Sequence, residues 1–242
     1  MFVPRIIHQT APSFNALPAD LKANIARLKR LNPDWEYRFY DDAAVMAHLR
    51  KWLKPKTFEL VSRVNPNYGV VFADLFRYLA VFHEGGVYLD IKSGVDRPLE
   101  EMLRPNDHFI LSHWPPEGEE FGGRGRSGDL PNFLRGEFQQ WFLVGRPQHP
   151  FVSAAAARAL TNMAHYDAEQ HGTGFWGTLR LAGPICYSLA IEPLLDKVPY
   201  RQVESGQIGL RYLVYPEKQH RGRNSLHYSK LDEPIMLPAK TA

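Results

Sequence analysis

The chain has 242 residues and a formal net charge of +3, from 29 lysines and arginines against 26 aspartates and glutamates. Hydrophobic residues make up 44% and charged residues 23%, which is typical of a globular chain and excludes a disordered or fibrous one. No stretch approaches the roughly 18–20 apolar residues of a membrane span, and a pI near 8.9 is too modest to indicate a nucleic-acid partner.

The first half alternates between the periods of strands and helices. Strands are predicted at 3–8, 35–40 and 87–91, and helices at 17–31, 43–53, within 55–65 and at 67–84. Asp41-Asp42 is a helix N-cap signal, and Gly85-Gly86 ends the long helix, with one glycine suited to a left-handed position. This βαβα order predicts an α/β fold with a mostly parallel central sheet flanked by helices.

The second half has fewer regular elements. Strands are predicted at 108–112, 140–144, 201–204 and 210–215, and helices at 150–166 and after Gly183-Pro184. The connector 114–135 is rich in glycine and proline, and a connector of that length is typical of a functional lid or a mobile loop. There is no internal repeat and no linker-like change of composition, so one domain over 1–242 is expected.

The cellular compartment is predicted from the cysteine count and the first residues. A single cysteine, Cys186, excludes an internal disulfide and a cysteine-cluster zinc site, and fits a reducing compartment. No basic segment leads into a long apolar one near residue 1, so the sequence shows no signal peptide. We therefore expect a cytoplasmic protein without a membrane span.

Two charges interrupt the most apolar helix of the chain. Within 70–82, eleven of thirteen residues are apolar or aromatic, and the exceptions are Asp74 and Arg77. Their spacing places them on one face of the helix. Buried charges need partners, so the two either pair with each other inside the core or point into a polar cleft.

A third charge follows the next strand. Asp90 lies near the carboxyl end of an otherwise apolar strand, and open α/β sheets bind ligands beyond that end. A lone carboxylate there is also compatible with a loop cap. The end of the first strand, His8-Gln9-Thr10, opens onto the same edge, although a histidine such as His8, taken alone, is more often a structural one. The guanidinium of Arg77 has the planar geometry that matches phosphate.

Four motifs in this order resemble the DXD sugar-transferase family, the family-32 glycosyltransferases. That family includes fungal Golgi mannosyltransferases and bacterial capsule enzymes, and more distantly the clostridial glucosylating toxins. The motifs are Ile-Ile-His-Gln-Thr at 6–10, Asn-Pro-Asp-Trp-Glu-Tyr at 32–37, Ala-Asp-Leu-Phe-Arg-Tyr at 73–78 and Gly-Gly-Val-Tyr-Leu-Asp at 85–90. The resemblance implies a GT-A fold, a nucleoside diphosphate sugar as donor and glycosyl transfer with retention.

The resemblance also implies residue roles. Residues 8–10 would line the nucleoside pocket. Asp74 and Arg77 match the residues that hold the donor sugar hydroxyls and the diphosphate. Tyr88 and Asp90 match the arm whose carboxylate touches ribose and sugar and reaches a metal, Mn²⁺ or Mg²⁺, through water. The nucleotide-sugar half would be about 1–112, and the half that binds the acceptor and forms the lid about 113–242.

The sequence departs from the family at position 92. The family's second carboxylate, its direct metal ligand, is replaced by Lys92. An ammonium removes a hard oxygen ligand and adds a positive charge where the cation would lie. Three outcomes stay open. Lys92 substitutes for the metal, other groups such as Asp96 or His220 recruit one, or catalysis has been lost.

Basic residues outside these motifs give weaker candidates. Arg124 and Arg126 in the connector either clamp phosphates or belong to a solvated loop. Near the C-terminus, four residues either complete the diphosphate site or form an ordinary charged tail: His220, Arg221, Arg223 and His227.

The leading hypothesis is a glycosyltransferase of polysaccharide biosynthesis. It would move a hexose from a nucleoside diphosphate sugar to a glycan or lipid-linked acceptor, with Asp74, Arg77, Asp90 and Lys92 as the catalytic group. Catalysis would come from positioning and from stabilising the leaving group. The alternative is a non-catalytic protein of the same fold that binds a nucleotide sugar or a glycan.

Overall fold

Strands and helices alternate through the first half of the chain, as predicted. The structure is a computed structural model that describes residues 2–216 and 228–239. The first elements are β1 (Ile6–Thr10), α1 (Ala19–Leu31), β2 (Glu36–Tyr40), α2 (Asp42–Trp52), α3 (Pro55–Val61), a 3-10 turn (Pro66–Tyr68), α4 (Gly69–Glu84) and β3 (Gly86–Leu89).

The second half contains more short helices than predicted. Its elements are β4 (Gly94–Val95), α5 (Leu99–Met102), β5 (Phe109–Leu111), β6 (Phe142–Gly145), α6 (Pro150–Ala164), α7 (Ala168–His171), α8 (Gly174–Leu181), α9 (Pro184–Ile191), a 3-10 turn (Glu192–Leu194), β7 (Arg201–Gln202), α10 (Ser205–Ile208), β8 (Leu210–Arg211) and a 3-10 turn (Tyr228–Lys230). The predicted connector 114–135 contains neither helix nor strand.

The residues predicted to begin α2 and to end α4 have those roles in the structure. The Asp41 carboxylate accepts the Ala44 N–H at 2.8 Å and caps α2. Gly85 and Gly86 have φ of +68° and +96°, and a Cβ on Gly86 would lie 2.5 Å from the Ile6 carbonyl oxygen. Only glycine fits this turn, which carries the chain from α4 directly into β3 beside β1.

Six strands form the central sheet in the order β2-β1-β3-β6-β5-β7. The pairings β1–β2, β1–β3 and β5–β7 are parallel, and β6 is antiparallel to both β3 and β5. Five of the six strands therefore run the same way. This confirms the predicted mostly parallel sheet flanked by helices. The strands β4 and β8 form a separate antiparallel pair.

The direction of β6 determines which residues lie together at the edge of the sheet where β1 and β3 end. The carboxyl ends of β1 and β3 lie together at one edge because these strands are parallel. Since β6 is antiparallel to β3, its amino end lies at that same edge. The Asp90 N–H accordingly donates to the Trp141 carbonyl at 2.8 Å. Residues before β6 therefore join residues after β1 and β3.

Apolar side chains cover both faces of the sheet. On one face α4, α6 and α9 pack around Phe76, Tyr78 and Tyr187, and on the other α1 and α5 pack around Ile7 and Val87. The lone Cys186 is buried, as a small core residue would be. Among residues 2–216 and 228–239, no helix is both long and apolar enough to cross a bilayer.

Candidate active site

Arg77 is the centre of a buried polar cluster at the carboxyl edge of the sheet. Its Nη2 lies 2.9 Å from Asp74 Oδ1 and 3.2 Å from Asp90 Oδ1. Its Nη1 donates to the Gln140 carbonyl at 2.8 Å, and its guanidinium lies 4.8 Å from the centre of the Tyr88 ring. This confirms the predicted convergence of these residues on one site. The two charges of α4 pair with each other and also meet the strand end.

Burial sets the protonation of this cluster. Burial raises the pKa of Asp74 to about 7, although the Arg77 guanidinium opposes that change. For Arg77, burial opposes the charge, but Tyr88, Asp90 and Asp74 together keep its pKa above the ordinary value. The guanidinium is therefore cationic, while the neighbouring Asp74 can change its proton occupancy when further charge enters the site.

Lys92 faces the same cluster. Its Nζ lies 3.5 Å from Asp90 Oδ2 and 4.8 Å from the centre of the Tyr212 ring, with 21% of the side chain exposed. Burial alone would lower the pKa of Lys92, but Asp90 and Tyr212 raise it above its ordinary value. The prediction of an extended strand through 91 is wrong, because the Ser93 N–H donates to the Asp90 carbonyl and closes a turn. That turn brings the ammonium back over Asp90.

A cavity of about 1110 Å³ lies over this cluster. Its volume is slightly above the range of about 300–1,000 Å³ that is usual for sites of small ligands. Predicted site residues that line it are Thr10, Asp74, Arg77, Asp90 and Lys92. Residues 124–127 of the predicted lid line it as well, so the long connector does lie over the site. Tyr88 is buried beneath the cluster, where its hydroxyl lies 3.0 Å from Thr10 Oγ1.

The structure does not bring His8 to the cavity. The ring is fully buried, and Nε2 donates to the Gly85 carbonyl at 2.9 Å. Nδ1 of the neutral ring then accepts the Tyr40 hydroxyl at 3.0 Å. Burial lowers the pKa of His8 to about 4, so the ring is neutral near pH 7. These contacts tie the turn after α4 to β1 and β2, which is a structural role.

Gln9 is also used inside the protein. Its amide donates to the Asp90 carbonyl at 3.2 Å and accepts the Tyr37 hydroxyl at 3.0 Å. It does not line the cavity. Of the three strand-end residues, only Thr10 reaches the space where a ligand would lie. Gln9 instead fixes the backbone that carries the Asp90 carboxylate.

The described side chains form no ready-made site for a divalent metal ion. Within 2–216 and 228–239, no group of three or more His, Cys, Asp or Glu side chains is placed to hold one. One oxygen of Asp90 faces Arg77 and the other faces Lys92, so its assignment as a metal ligand is not supported. Asp96 pairs with Arg211 at 2.7 Å, away from the cavity. The candidates His220, Arg221, Arg223 and His227 lie outside the described residues.

Residues 18–110 match the family model of the glycosyltransferase sugar-binding region containing a DXD motif. The matched segment includes α4, β3 and the Arg77 cluster. That match covers less than half of the 242 residues, and what it shows is a similarity of this segment to the family. The matched segment ends before the connector 114–135, and Asp74, Arg77, Asp90 and Lys92 within it line the cavity.

Two fungal enzymes are among the proteins similar to this chain. The chain is 27% identical over 168 residues to mannosyl phosphorylinositol ceramide synthase SUR1 of Saccharomyces cerevisiae. This alignment covers 68% of this chain and 36% of that protein. The chain is 25% identical over 192 residues to inositol phosphoceramide mannosyltransferase 1 of Schizosaccharomyces pombe, which covers 77% of this chain and 50% of that protein. The chain thus spans half or less of the length of these relatives.

A solved structure shares the fold of this chain. The PaToxG glycosyltransferase superposes with a TM-score of 0.54 at 13% identity, over 80% of this chain and 70% of that one. At this identity the likeness concerns the fold alone. The predicted GT-A fold is confirmed.

Aromatic residues outside 18–110 also line the cavity, among them Trp114, Trp141 and Tyr212. The sequence pattern assigned no binding role to these three. The Tyr212 ring contacts both Lys92 and Trp114. The ring centre of Trp114 lies 4.9 Å from the centre of the Tyr212 ring. Trp141 lies 5.7 Å from the same ring. Local period places Tyr212 on a strand, but nothing in the sequence indicates its partner 120 positions earlier. These contacts depend on tertiary structure.

Glu137 gives the site a pH-dependent group. It is buried, lines the cavity and accepts the Trp114 Nε1–H at 3.0 Å. Burial raises its pKa from 4.5 to about 7, with the Trp114 hydrogen bond opposing. Between these values the unfolded chain binds fewer protons than the folded one, so stability falls as pH rises through this window.

We expect Glu137→Gln to remove that part of the pH dependence, because the amide never ionises and still accepts from Trp114. The variant should match the wild-type free energy of unfolding near pH 4 and exceed it by about 3 kcal/mol above pH 7. Urea unfolding across pH 4–8 measures the difference. Glu59→Gln, at an exposed position of α3, is the matched control. A difference between Glu137→Gln and wild type that stays constant with pH would contradict the assignment.

Proposed function

We propose that this chain transfers a hexose from a nucleoside diphosphate sugar to a glycan or lipid-linked acceptor, with retention at the anomeric carbon. The observation that carries the proposal is the pair of cations at the cavity floor, Arg77 and Lys92, both held by Asp90. Diphosphate carries the negative charge that such a pair would bind. The family match over the same residues supports a sugar-linked diphosphate over a free one.

The reaction would proceed by stabilising the leaving group. As the bond from C1 to the diphosphate oxygen breaks, negative charge grows on that oxygen, and Arg77 and Lys92 are placed to offset it. Asp74 and Asp90 would accept hydrogen bonds from sugar hydroxyls. The acceptor oxygen would attack C1 on the face that the diphosphate leaves, and its proton would pass to the departing phosphate. No protein nucleophile is assigned.

The names of the two fungal relatives indicate a donor sugar and an acceptor class to test first. Both name a mannosyl group and a phosphoinositol ceramide. On that basis we propose mannose as the first hexose to test and include lipid-linked acceptors beside glycans. Assembly of a polysaccharide or a glycolipid is the corresponding process. A cytoplasmic location remains a prediction from the sequence.

A ligand panel tests the proposal. Thermal shifts with UDP- and GDP-linked hexoses, with and without Mn²⁺ and EDTA, should identify a donor, because ligands of the folded state raise apparent stability. Proton NMR of the product with that donor should show the anomeric configuration retained. An inverted product would contradict the retaining step, and a panel without any shift would contradict the proposed donor class.

Lys92 is the observation that favours the second candidate, a non-catalytic nucleotide-sugar or glycan-binding protein. An altered motif is expected where binding persists and turnover has been lost. The two candidates differ in what happens to a bound donor without acceptor. A transferase should hydrolyse it slowly, releasing nucleoside diphosphate, whereas a binding protein should leave it intact.

The connector 114–135 should close over a bound donor. Trp114 and Arg124 line the cavity, and the Arg124 guanidinium lies 5.7 Å from the Trp114 ring centre. Closure would exclude water from an activated donor. We expect amide hydrogen exchange in 114–135 to slow at least tenfold with donor, while the core helix α6 is unchanged. Equal exchange rates with and without donor would contradict a moving lid.

A further inference from the structure

The cavity continues past the charged cluster into an apolar branch. It follows α4 from Arg77 back to Gly69, eight residues or about 12 Å along the helix at 1.5 Å per residue. Apart from Asp74, which belongs to the charged cluster, the α4 residues that line this part are uncharged, among them Val70 and Phe72, and Leu179 of α8 also lines the cavity. A donor diphosphate at Arg77 would leave this branch open to a second substrate.

Two neighbouring aromatic side chains stand at the rim of the branch. Phe175 is 42% exposed and Trp176 is 46% exposed, and their ring centres are 5.3 Å apart. Both line the cavity. The other large apolar side chains exposed among the described residues do not line it: Phe2, Phe14, Leu134 and Leu237. Aromatic surface left in water at a cavity rim is typical of a ligand-binding site.

The backbone beneath this pair is firmly held. The Gly174 N–H donates to the Tyr68 hydroxyl at 2.9 Å, and that hydroxyl donates to the Glu233 carbonyl at 2.8 Å. Gly174 has a φ of +53°, and a Cβ there would lie 2.5 Å from the Leu231 carbonyl oxygen. The start of α8 is therefore fixed between Tyr68 and the 228–231 segment, so the backbone that carries the two exposed rings is held in place.

A charged pair lies beside the Trp176 ring. The Arg180 guanidinium is 5.8 Å from the indole centre, and its Nε donates to both carboxylate oxygens of Asp129 at 3.1 and 3.2 Å. Asp129 belongs to the lid segment. The two aromatic rings thus border the cavity, and the charged pair beside them, which does not itself line the cavity, offers donors and acceptors for hydroxyl groups.

We infer that Phe175 and Trp176 form an acceptor subsite that stacks on a pyranose ring of a glycan. A pyranose has an apolar C–H face and a rim of hydroxyls, which matches an aromatic face bordered by Arg180 and Asp129. A bare alkyl chain would use the aromatic rings but leave the charged pair without a role. This inference rests on the proposed function, since it places the acceptor beside the donor.

The test measures binding of defined disaccharides to the full chain with and without donor. Mannobiose, maltose, cellobiose and lactose are titrated by saturation-transfer NMR and tryptophan fluorescence. We expect at least one to bind, and Trp176→Ala to weaken its binding at least tenfold while leaving donor affinity within twofold. Phe14→Ala removes a similarly exposed aromatic residue outside the cavity and should change neither affinity.

The outcomes separate this inference from the proposed function. If donor binds and no disaccharide does, or if Trp176→Ala binds disaccharide as wild type does, the acceptor subsite is refuted and the donor site stands. Binding of phosphatidylcholine vesicles that Trp176→Ala abolishes, without disaccharide binding, would refute the glycan in favour of a lipid surface. If disaccharide binding depends on Trp176 and no nucleotide sugar binds, the subsite is supported and the transferase proposal fails.

Discussion

Arg77→Lys is expected to weaken donor binding at least tenfold and to lower the free energy of unfolding by about 2–3 kcal/mol. The guanidinium uses separate nitrogens for the Gln140 carbonyl and for the carboxylates of Asp74 and Asp90. A lysine has one terminal nitrogen and cannot span these partners. Buried polar groups left without partners carry most of the cost. Arg77→Ala should cost more, about 3–5 kcal/mol, because the buried Asp74 and the partly buried Asp90 then lose the cation between them.

Calorimetric titration of the donor and urea unfolding measure the two effects of Arg77→Lys separately. Arg211→Lys is the matched control, since Arg211 pairs with Asp96 on the surface and is 58% exposed. Exposed pairs contribute up to about 1 kcal/mol, so this control should alter neither donor affinity nor stability by more than that. Unchanged donor affinity in Arg77→Lys would rule out its proposed role.

Lys92 is expected to replace the metal ion in donor binding. Wild-type affinity should survive EDTA, and Lys92→Ala should lose at least tenfold, because the ammonium faces the cavity beside Asp90. Lys92→Asp should convert binding from independent of Mn²⁺ to dependent on it, since two carboxylates two positions apart restore the oxygen ligands that a hard cation needs. Both expected results have one physical reason. A positive charge, either the Lys92 ammonium or a metal ion, must oppose the diphosphate.

The experiment for Lys92 compares donor affinity in EDTA and in Mn²⁺ for wild type, Lys92→Ala and Lys92→Asp. Lys29→Ala is the matched control, because Lys29 is an exposed lysine that also lies over a tyrosine ring, 5.7 Å from the centre of Tyr37, outside the cavity. If wild-type binding collapses in EDTA while Lys92→Ala behaves as wild type, a metal held by other ligands is required and the proposal for Lys92 fails.

Much of the charged cluster is predictable from local sequence. The burial of α4 follows from eleven apolar or aromatic residues in thirteen, and its two charges share a face because they are three positions apart. Asp90 is recognisable from its position at the end of an apolar strand, and the turn at Gly85-Gly86 from the residue type that it needs. These features depend on periodicity and on backbone preferences, which a single segment carries by itself.

Only the tertiary structure decides which neighbours those charges meet. The antiparallel direction of β6 places the carbonyl of Gln140, just before that strand, on Arg77, and Tyr212, just after β8, reaches Lys92, although the pairs are separated by 63 and 120 positions. His8 is the clearest example of a residue whose contacts the local sequence does not predict. It lies two residues before the strand end, about 6.6 Å from the edge, and its ring contacts Tyr40 and Gly85 instead of the cavity. Strand order, strand direction and register arise from long-range packing, so no local pattern in the sequence specifies them.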